Sequence, residues 1–237
     1  MEITDFSHSL DTFLSPNTIQ IEGVEVLGKK SNKNGSTATT INRTAIEHLQ
    51  AASLQEVLQL VPGNPVNNPN FSSTSQAAIR QYGSDNLGSL GTAVIINGAV
   101  VSNNANLQAI STATAGGQAS FSTSSGGGTD LRSVTADNIE SVEVIRGIPS
   151  VEYGDLNAGA IIVKTKARKE PLQFKARFNP ALTQFWIGKG FGMPNDGALF
   201  VDLDHTTSND SETNKYRKYS RKTLSTQYTR TFGRNKT

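Results

Sequence analysis

Three stretches near the end of the chain carry apolar residues at every second position. Leu172, Phe174, Ala176 and Phe178 alternate with Gln173, Lys175, Arg177 and Asn179, and Leu199, Val201 and Leu203 alternate with Phe200, Asp202 and Asp204. A third run extends from Thr223 to Phe232 around Tyr228, and a charged loop from Thr206 to Lys218 separates it from the second. Period two predicts strands with one apolar and one wet face. Pro180 and Gly188-Lys189-Gly190 make the first of these strands irregular. Upstream the period changes. Leu54, Val57, Leu58 and Val61 fall at i, i+3, i+4 and i+7 behind Ser53 and Glu56 at capping-box spacing, which predicts a helix ended by Pro62-Gly63. Asn42 caps a shorter helix through Ala45, Ile46 and Leu49.

Seven further runs predict strands or their absence. Ala93 to Ile96 and Ala99 to Val101 flank Asn97-Gly98, a two-residue turn in which both residues need positive φ, so they predict a hairpin. Ile139 to Ile145 and Ala160 to Val163 are β-branched and read as a buried strand pair joined by a turn-rich loop, with Gly147 and Pro149 punctuating it. Ile19 to Leu27 reads as an edge strand, and the Ser31 to Gly35 run as a flexible linker. Ser102 to Asp130 is rich in Ser, Thr, Gly and Asn without any period, and predicts a long loop.

Composition narrows the class. The 237 residues suffice for one or two domains with a real core, and the low hydrophobic content of 35% favours a β-rich, loop-rich fold. Basic and acidic residues number 22 and 20, so no nucleic-acid footprint is implied. Zero cysteines exclude disulfides and thiolate metal sites. The start, Met1-Glu2-Ile3-Thr4-Asp5, carries no export signal, and no run approaches the ~18 apolar residues of a membrane helix.

Candidate catalytic chemistry is thin. His8, His48 and His205 lie far apart and without metal-ligand spacing, and there is no Gly-x-Ser-x-Gly elbow and no cysteine nucleophile, so the expectation is not an enzyme, with no cofactor. The Gly126-Gly127-Gly128-Thr129-Asp130 stretch lacks the lysine and preceding strand of a phosphate-binding loop. The densest charge cluster is Glu140, Glu143 and Arg146, where alternation along a strand puts Glu140 and Arg146 on one face and Glu143 on the other.

One stretch does more. Ile139, Glu140, Val142, Glu143, Val144, Arg146, Gly147, Ser150, Tyr153, Gly154, Gly159, Ile161, Val163, Thr165 and Lys166 stand in the order of the C-terminal signature of the plug domain of TonB-dependent outer-membrane receptors. The chain resembles that family over roughly residues 19 to 205. Ala160 replaces the signature's second glycine, Leu156-Asn157 replaces commoner small residues, and Ile79-Arg80-Gln81-Tyr82-Gly83 stands where the family has a shorter motif. The first 20 residues resemble the tail of the small sandwich domain that precedes the plug in Bacteroidetes receptors.

The resemblance implies an α+β fold: a small mixed-sheet plug domain with short helices, followed by the first antiparallel strands of an incomplete outer-membrane β-barrel, with an amphipathic pattern to match. It implies three parts: residues 1–35 as tail, energy-coupling box and linker, 36–168 as plug, and 169–237 as barrel strands. The box falls on Gly23, Val24, Glu25, Val26 and Leu27, an extended edge able to add to the sheet of the TonB C-terminal domain. Glu140, Glu143 and Arg146, joined by Arg80, become a charge lock between plug and barrel wall. Substrate-facing loops fall on Asn68, Asn70 and Phe71, on Asp85 and Asn86, and on Ser102, Asn103 and Asn104, although asparagines also simply suit turns.

Implied partners are TonB, the rest of the barrel, outer-membrane lipid, and an unidentified small-molecule, glycan or peptide substrate. With about 22 strands in plugged transporters, three cannot close a barrel, so the expectation is a truncated chain in the outer membrane of a Gram-negative bacterium with its N-terminus periplasmic. The alternative is a secreted β-rich adhesin or glycan-binding module without a barrel.

Overall fold

The structure, a computed structural model, describes residues 37–64, 71, 75–77, 79, 92–102, 109–111, 120–122, 128–146, 159–180, 182–194, 196–209 and 218–230. Eleven strands and two short helices are found among them. A five-stranded mixed sheet comes first, formed by β1 (Thr37–Asn42), β2 (Thr92–Ile96), β3 (Ala99–Val101), β6 (Ile139–Arg146) and β7 (Gly159–Thr165) in the order β1-β6-β7-β2-β3. Only β2 and β7 run parallel; every other pair is antiparallel. The strand pair expected around Ile139 to Lys166 is β6 and β7, at the centre of this sheet.

Helix α1 (Arg43–Leu49) starts where Asn42 Oδ1 accepts from Ala45 N at 2.9 Å, as its N-cap spacing predicts. Helix α2 is a single turn, Leu54–Val57, continued by a 3-10 turn at Leu58–Leu60. Its Glu56 reaches back to Ala52 N at 3.3 Å and to Ser53 Oγ at 3.3 Å, while Ser53 makes no side-chain cap bond, so the expected box closes one residue early. The apolar stripe is core, as expected: Leu54, Val57, Leu58 and Val61 are buried with Ile41, Ile46, Val142, Val144, Ile161 and Val163. A second cluster, Ala38, Ala93, Ile95, Ile145 and Ala160, packs separately, with Ile162 against it.

The Asn97-Gly98 hairpin is present, with φ of 51° and 86° at the two turn residues. Strand β1 was not legible, because its sequence Thr-Ala-Thr-Thr-Ile-Asn reads as the polar approach to the first helix. Inside the stretch expected to be a loop, β4 (Ala109–Ser111) and β5 (Ser120–Ser122) pair antiparallel.

The second half is a four-stranded antiparallel sheet in the order β11-β10-β9-β8, from β8 (Glu170–Asn179), β9 (Leu182–Met193), β10 (Gly197–Asn209) and β11 (Lys218–Thr229). Sequence reading expected three strands and took Gly188-Lys189-Gly190 for an irregularity of the first. That expectation is corrected: the glycines lie inside β9. A Cβ on Gly188 would stand 2.5 Å from Trp186 Cζ2 and 3.1 Å from Phe200 Cζ, so the missing side chain is the space in which the indole lies.

Burial in this sheet is inverted relative to a soluble protein. In β10, Phe200, Asp202, Asp204, Thr206 and Ser208 are buried while Leu203 is 53% exposed. Leu172, Phe174, Phe178, Phe185, Ile187, Phe191, Leu224 and Tyr228 also face outward. The wet face is the one covered by the rest of the molecule.

Candidate functional site

The covered face of the second sheet meets residues 130–138, a segment held on both sides. Asp130 caps a 3-10 turn at Leu131–Ser133 by accepting from Arg132 N. Leu131 N donates to Ser75 O at 2.8 Å, Leu54 N to Val134 O at 2.9 Å, and Lys166 N to Asn138 O at 2.8 Å. With Ala136 N donating to Ala52 O at 3.3 Å, these backbone bonds form the bridges Ser53–Thr135 and Gln76–Asp130 and fix a stretch that is neither strand nor α-helix. The strap points Arg132, Thr135, Asp137 and Asn138 at the strands.

Two linked carboxylate–arginine pairs join the parts. Asp137, 1% exposed, receives Arg177 Nη1 at 2.5 Å and Nη2 at 2.8 Å, a two-pronged contact, with Lys175 Nζ at 3.2 Å. Burial by itself pushes the Asp137 carboxyl up, but the bonds and charges of Arg177 and Lys175 prevail and hold it below its usual range. Gln184 donates from the strand side to both Asp137 and Asp204, and so bridges the two pairs. Asp204 receives Arg221 Nε at 2.8 Å, Thr206 Oγ1 at 2.9 Å and, from the strap, Thr135 Oγ1 at 3.3 Å. Arg221 then spans the gap: its Nη1 donates to Arg132 O at 2.6 Å and its Nη2 to Ala52 O at 3.0 Å.

Around this centre lie satellite contacts. Arg132 stacks over Tyr219 at 4.7 Å, and Tyr219 OH donates to Arg132 O at 3.2 Å. Asn138 Nδ2 donates to Ser225 Oγ at 3.2 Å, and Asn97 Nδ2 to Gln227 Oε1 at 3.0 Å. Lys166, 1% exposed, pairs with Glu170 at 3.4 Å and lies 5.3 Å from the Trp186 ring and 5.6 Å from the Phe200 ring. Burial, with the Arg43 charge nearby, pushes its ammonium below the usual lysine range, against the pull of Glu170. Beside these contacts a cavity of about 530 Å³ opens, lined among others by Asn138, Lys166, Asp202 and Ser225.

The expected site residues fall in several places. Gly23, Val24, Glu25, Val26, Leu27, Asn68, Asn70, Arg80, Asp85, Asn86, Asn103 and Asn104 lie outside the described residues. Ser102 is exposed after β3. Phe71 departs from a solvent-facing loop position: it is 1% exposed, packs with Ala52 and Leu182, and lies 5.6 Å from the Tyr219 ring, because an apolar ring fills the space under the strand ends.

The three charged residues of β6 are not one cluster. Glu140 pairs with Arg168 at 2.6 Å in the connection to β8, Arg146 donates to the Pro62 carbonyl, and Glu143 is half-buried opposite Thr40 and Ile162. The strict alternation expected along this strand is corrected as well. A register shift between Ile139 and Ser141 inserts one residue, so Ile139 shares the core with Val142 and Val144.

Asp137, Arg177, Gln184, Asp204 and Arg221 were missed as a group. The legible signal was the wet positions of the strands, Lys175, Arg177, Asp202 and Asp204, whose partners the period alone does not name. Among the described residues no group of three or more His, Cys, Asp or Glu side chains could hold a metal ion.

A sheet with apolar residues outward and a charged face closed on a separate mixed sheet is the arrangement of a barrel wall around an internal plug. The comparisons agree. Residues 30–161 match the family model described as TonB-dependent Receptor Plug Domain, more than half of the chain, and the chain belongs to that family. No curated protein matches.

Among solved structures it is similar to the alcaligin outer membrane receptor FauA from Bordetella pertussis, with a TM-score of 0.55 and 12% identity over 86% of this chain and 30% of that one. That likeness is one of fold. A variant of the ferric enterobactin receptor PfeA from Pseudomonas aeruginosa gives a TM-score of 0.49 and 20% identity over 73% of this chain and 25% of that one. The siderophore receptor PiuA from Acinetobacter baumannii gives 0.45 and 18% over 75% and 21%. The chain thus spans less than a third of the length of these receptors.

Proposed function

We propose that this chain is the plug and the first four wall strands of a TonB-coupled outer-membrane transporter, in which residues 36–168 gate a barrel completed by further strands. The observation that carries this is the inverted sheet: Asp204 and Arg221 are buried against the plug while Leu203 and Leu224, beside them in the same strands, are 53% and 67% exposed. Such a face suits a lipid surround.

In this reading the protein does no bond chemistry. A substrate of the small-molecule, glycan or peptide class binds the outer loops, the edge strand at Gly23 to Leu27 pairs with TonB, and pull on that strand displaces the plug. The ion pairs supply the hold. A pair with both partners present adds little net stability, yet separating it strands a buried charge, which resists small fluctuations and yields to sustained force. The chain's first 20 residues favour a receptor of the Bacteroidetes type, with a sandwich domain ahead of the plug. Deleting Gly23 to Leu27 from the intact receptor tests the coupling. Outer-membrane insertion is expected to persist while binding of the TonB C-terminal domain falls to background. Undiminished TonB binding would remove the box from this segment.

A further inference from the structure

The outward face of the wall is ordered in rows. Cross-strand pairing sets Phe174, Ile187, Leu203 and Leu224 side by side across all four strands. The next row, two residues further along each strand and about 7 Å away, is Ala176, Phe185, His205 and Lys222. Beyond it come Thr183, Thr207 and Ser220, with Phe178. An apolar row is followed by one that carries a histidine and a lysine, then by hydroxyls.

His205 and Lys222 are direct cross-strand neighbours and both are exposed. Among the described residues, no carboxylate lies on the outward face of these strands: Asp202, Asp204 and Glu170 are all buried on the other side. Neither side chain has a carboxylate as its cross-strand partner on these strands. A phosphate oxygen seated between the two side chains would accept from both. Both side chains line a groove of about 610 Å³ with Phe174, Phe185, Ile187, Leu203 and Leu224, and with Asp204 at its floor, so a lysine and a histidine stand beside a mainly apolar trough. A trough that fits acyl chains, with Lys222 and His205 beside it and the hydroxyls of Thr207 and Ser220 in the next row, has the polarity order of one kind of molecule.

We propose that this groove is a specific site for a phosphorylated membrane lipid. Its acyl chains lie across the Phe174–Ile187–Leu203–Leu224 row, and its phosphate is held by the Lys222 ammonium, an imidazole N–H of His205 and the hydroxyls of Thr207 and Ser220. The site rests on the barrel reading above, since it requires this face to look into lipid. It adds a headgroup choice to what would otherwise be a generic greasy belt.

The test uses the intact receptor purified in detergent, as wild type, as the double variant His205→Gln/Lys222→Gln, and as the control Lys189→Gln, which removes an outward cation from a different row. The probes are dioleoyl phosphatidic acid, dioleoylglycerol and inorganic phosphate, with bound lipid counted by native mass spectrometry. Phosphatidic acid is expected to bind the double variant about fivefold more weakly than wild type, the size of one surface charge contact, with Lys189→Gln within twofold of wild type in the same measure. Dioleoylglycerol is expected not to distinguish the proteins, and millimolar inorganic phosphate not to displace the lipid. Equal phosphatidic acid binding by all three proteins overturns the site, and displacement by inorganic phosphate alone replaces the lipid with a free-anion site. If wild type fails to insert into the outer membrane, the barrel reading itself falls. Correct insertion of all three proteins with no lipid discrimination removes only the lipid site.

Discussion

At the scale of single residues, the hold between plug and wall depends on charges buried in pairs. Asp137→Asn leaves Arg177, 18% exposed, without its carboxylate. The cost is about 2–3 kcal/mol, below the ~3–5 kcal/mol of stripping a fully buried partner, because Gln184 remains at 2.7 Å from Arg177. Chemical unfolding of the intact receptor, followed by proteolytic protection of the plug, should show the loss, and adding Arg177→Gln should return part of it. An additive second loss would mean that the two residues act independently. Glu56 makes the opposite kind of prediction. Burial raises its carboxyl above 4.5 in spite of the bonds from Ala52 and Ser53. Its proton is bound more tightly folded than unfolded, so its contribution favours folding below pH 4.5 and is lost as pH rises through the raised value. Glu56→Gln should therefore flatten the fall in melting temperature over that window and match or exceed wild type above it; parallel pH curves for the two proteins would contradict this.

At the scale of elements, hairpin and wall meet at one side chain. Asn97 donates to Thr165 Oγ1 at 2.8 Å and Gln227 Oε1 at 3.0 Å, and accepts from Thr165 N at 2.9 Å, while its own φ is positive. Asn97→Ala should cost about 2 kcal/mol from these bonds and the less tolerant backbone, and hydrogen exchange in β2, β3 and β7 should accelerate. Unchanged exchange there would show that the turn is held by its strands alone. The hairpin, both helix starts, the central β6–β7 pair and the period-two strands were legible in the sequence because each has a local cause: a turn dipeptide, a cap, an alternation. Strand β9 was not, since glycines at 188 and 190 read as a break until Trp186 and the Arg168 backbone are seen lying across them. The inserted residue near Glu140 is equally invisible, because nothing in β6 itself announces which position its partner skips.

At the scale of the whole molecule, the sequence carried the family and the wall, and the structure supplied the joint between them. The alternation of Leu203 with Asp202 and Asp204 states that one face is wet without stating that this face is inside; only the plug packed on it decides that. The missed network has the same origin, since Asp137 and Arg177 are 40 residues apart and Arg221 reaches Ala52 across 169. No local pattern pairs residues at that separation. The most direct measurement of the central claim is the size and location of the native polypeptide, detected in its source cells with an antibody against residues 36–168. A band several times heavier than the 25.3 kDa of this chain, in the outer-membrane fraction, is the predicted result. A soluble band near 25 kDa would contradict it, and would mean that a plug and four strands stand as a β-rich binding module without a barrel.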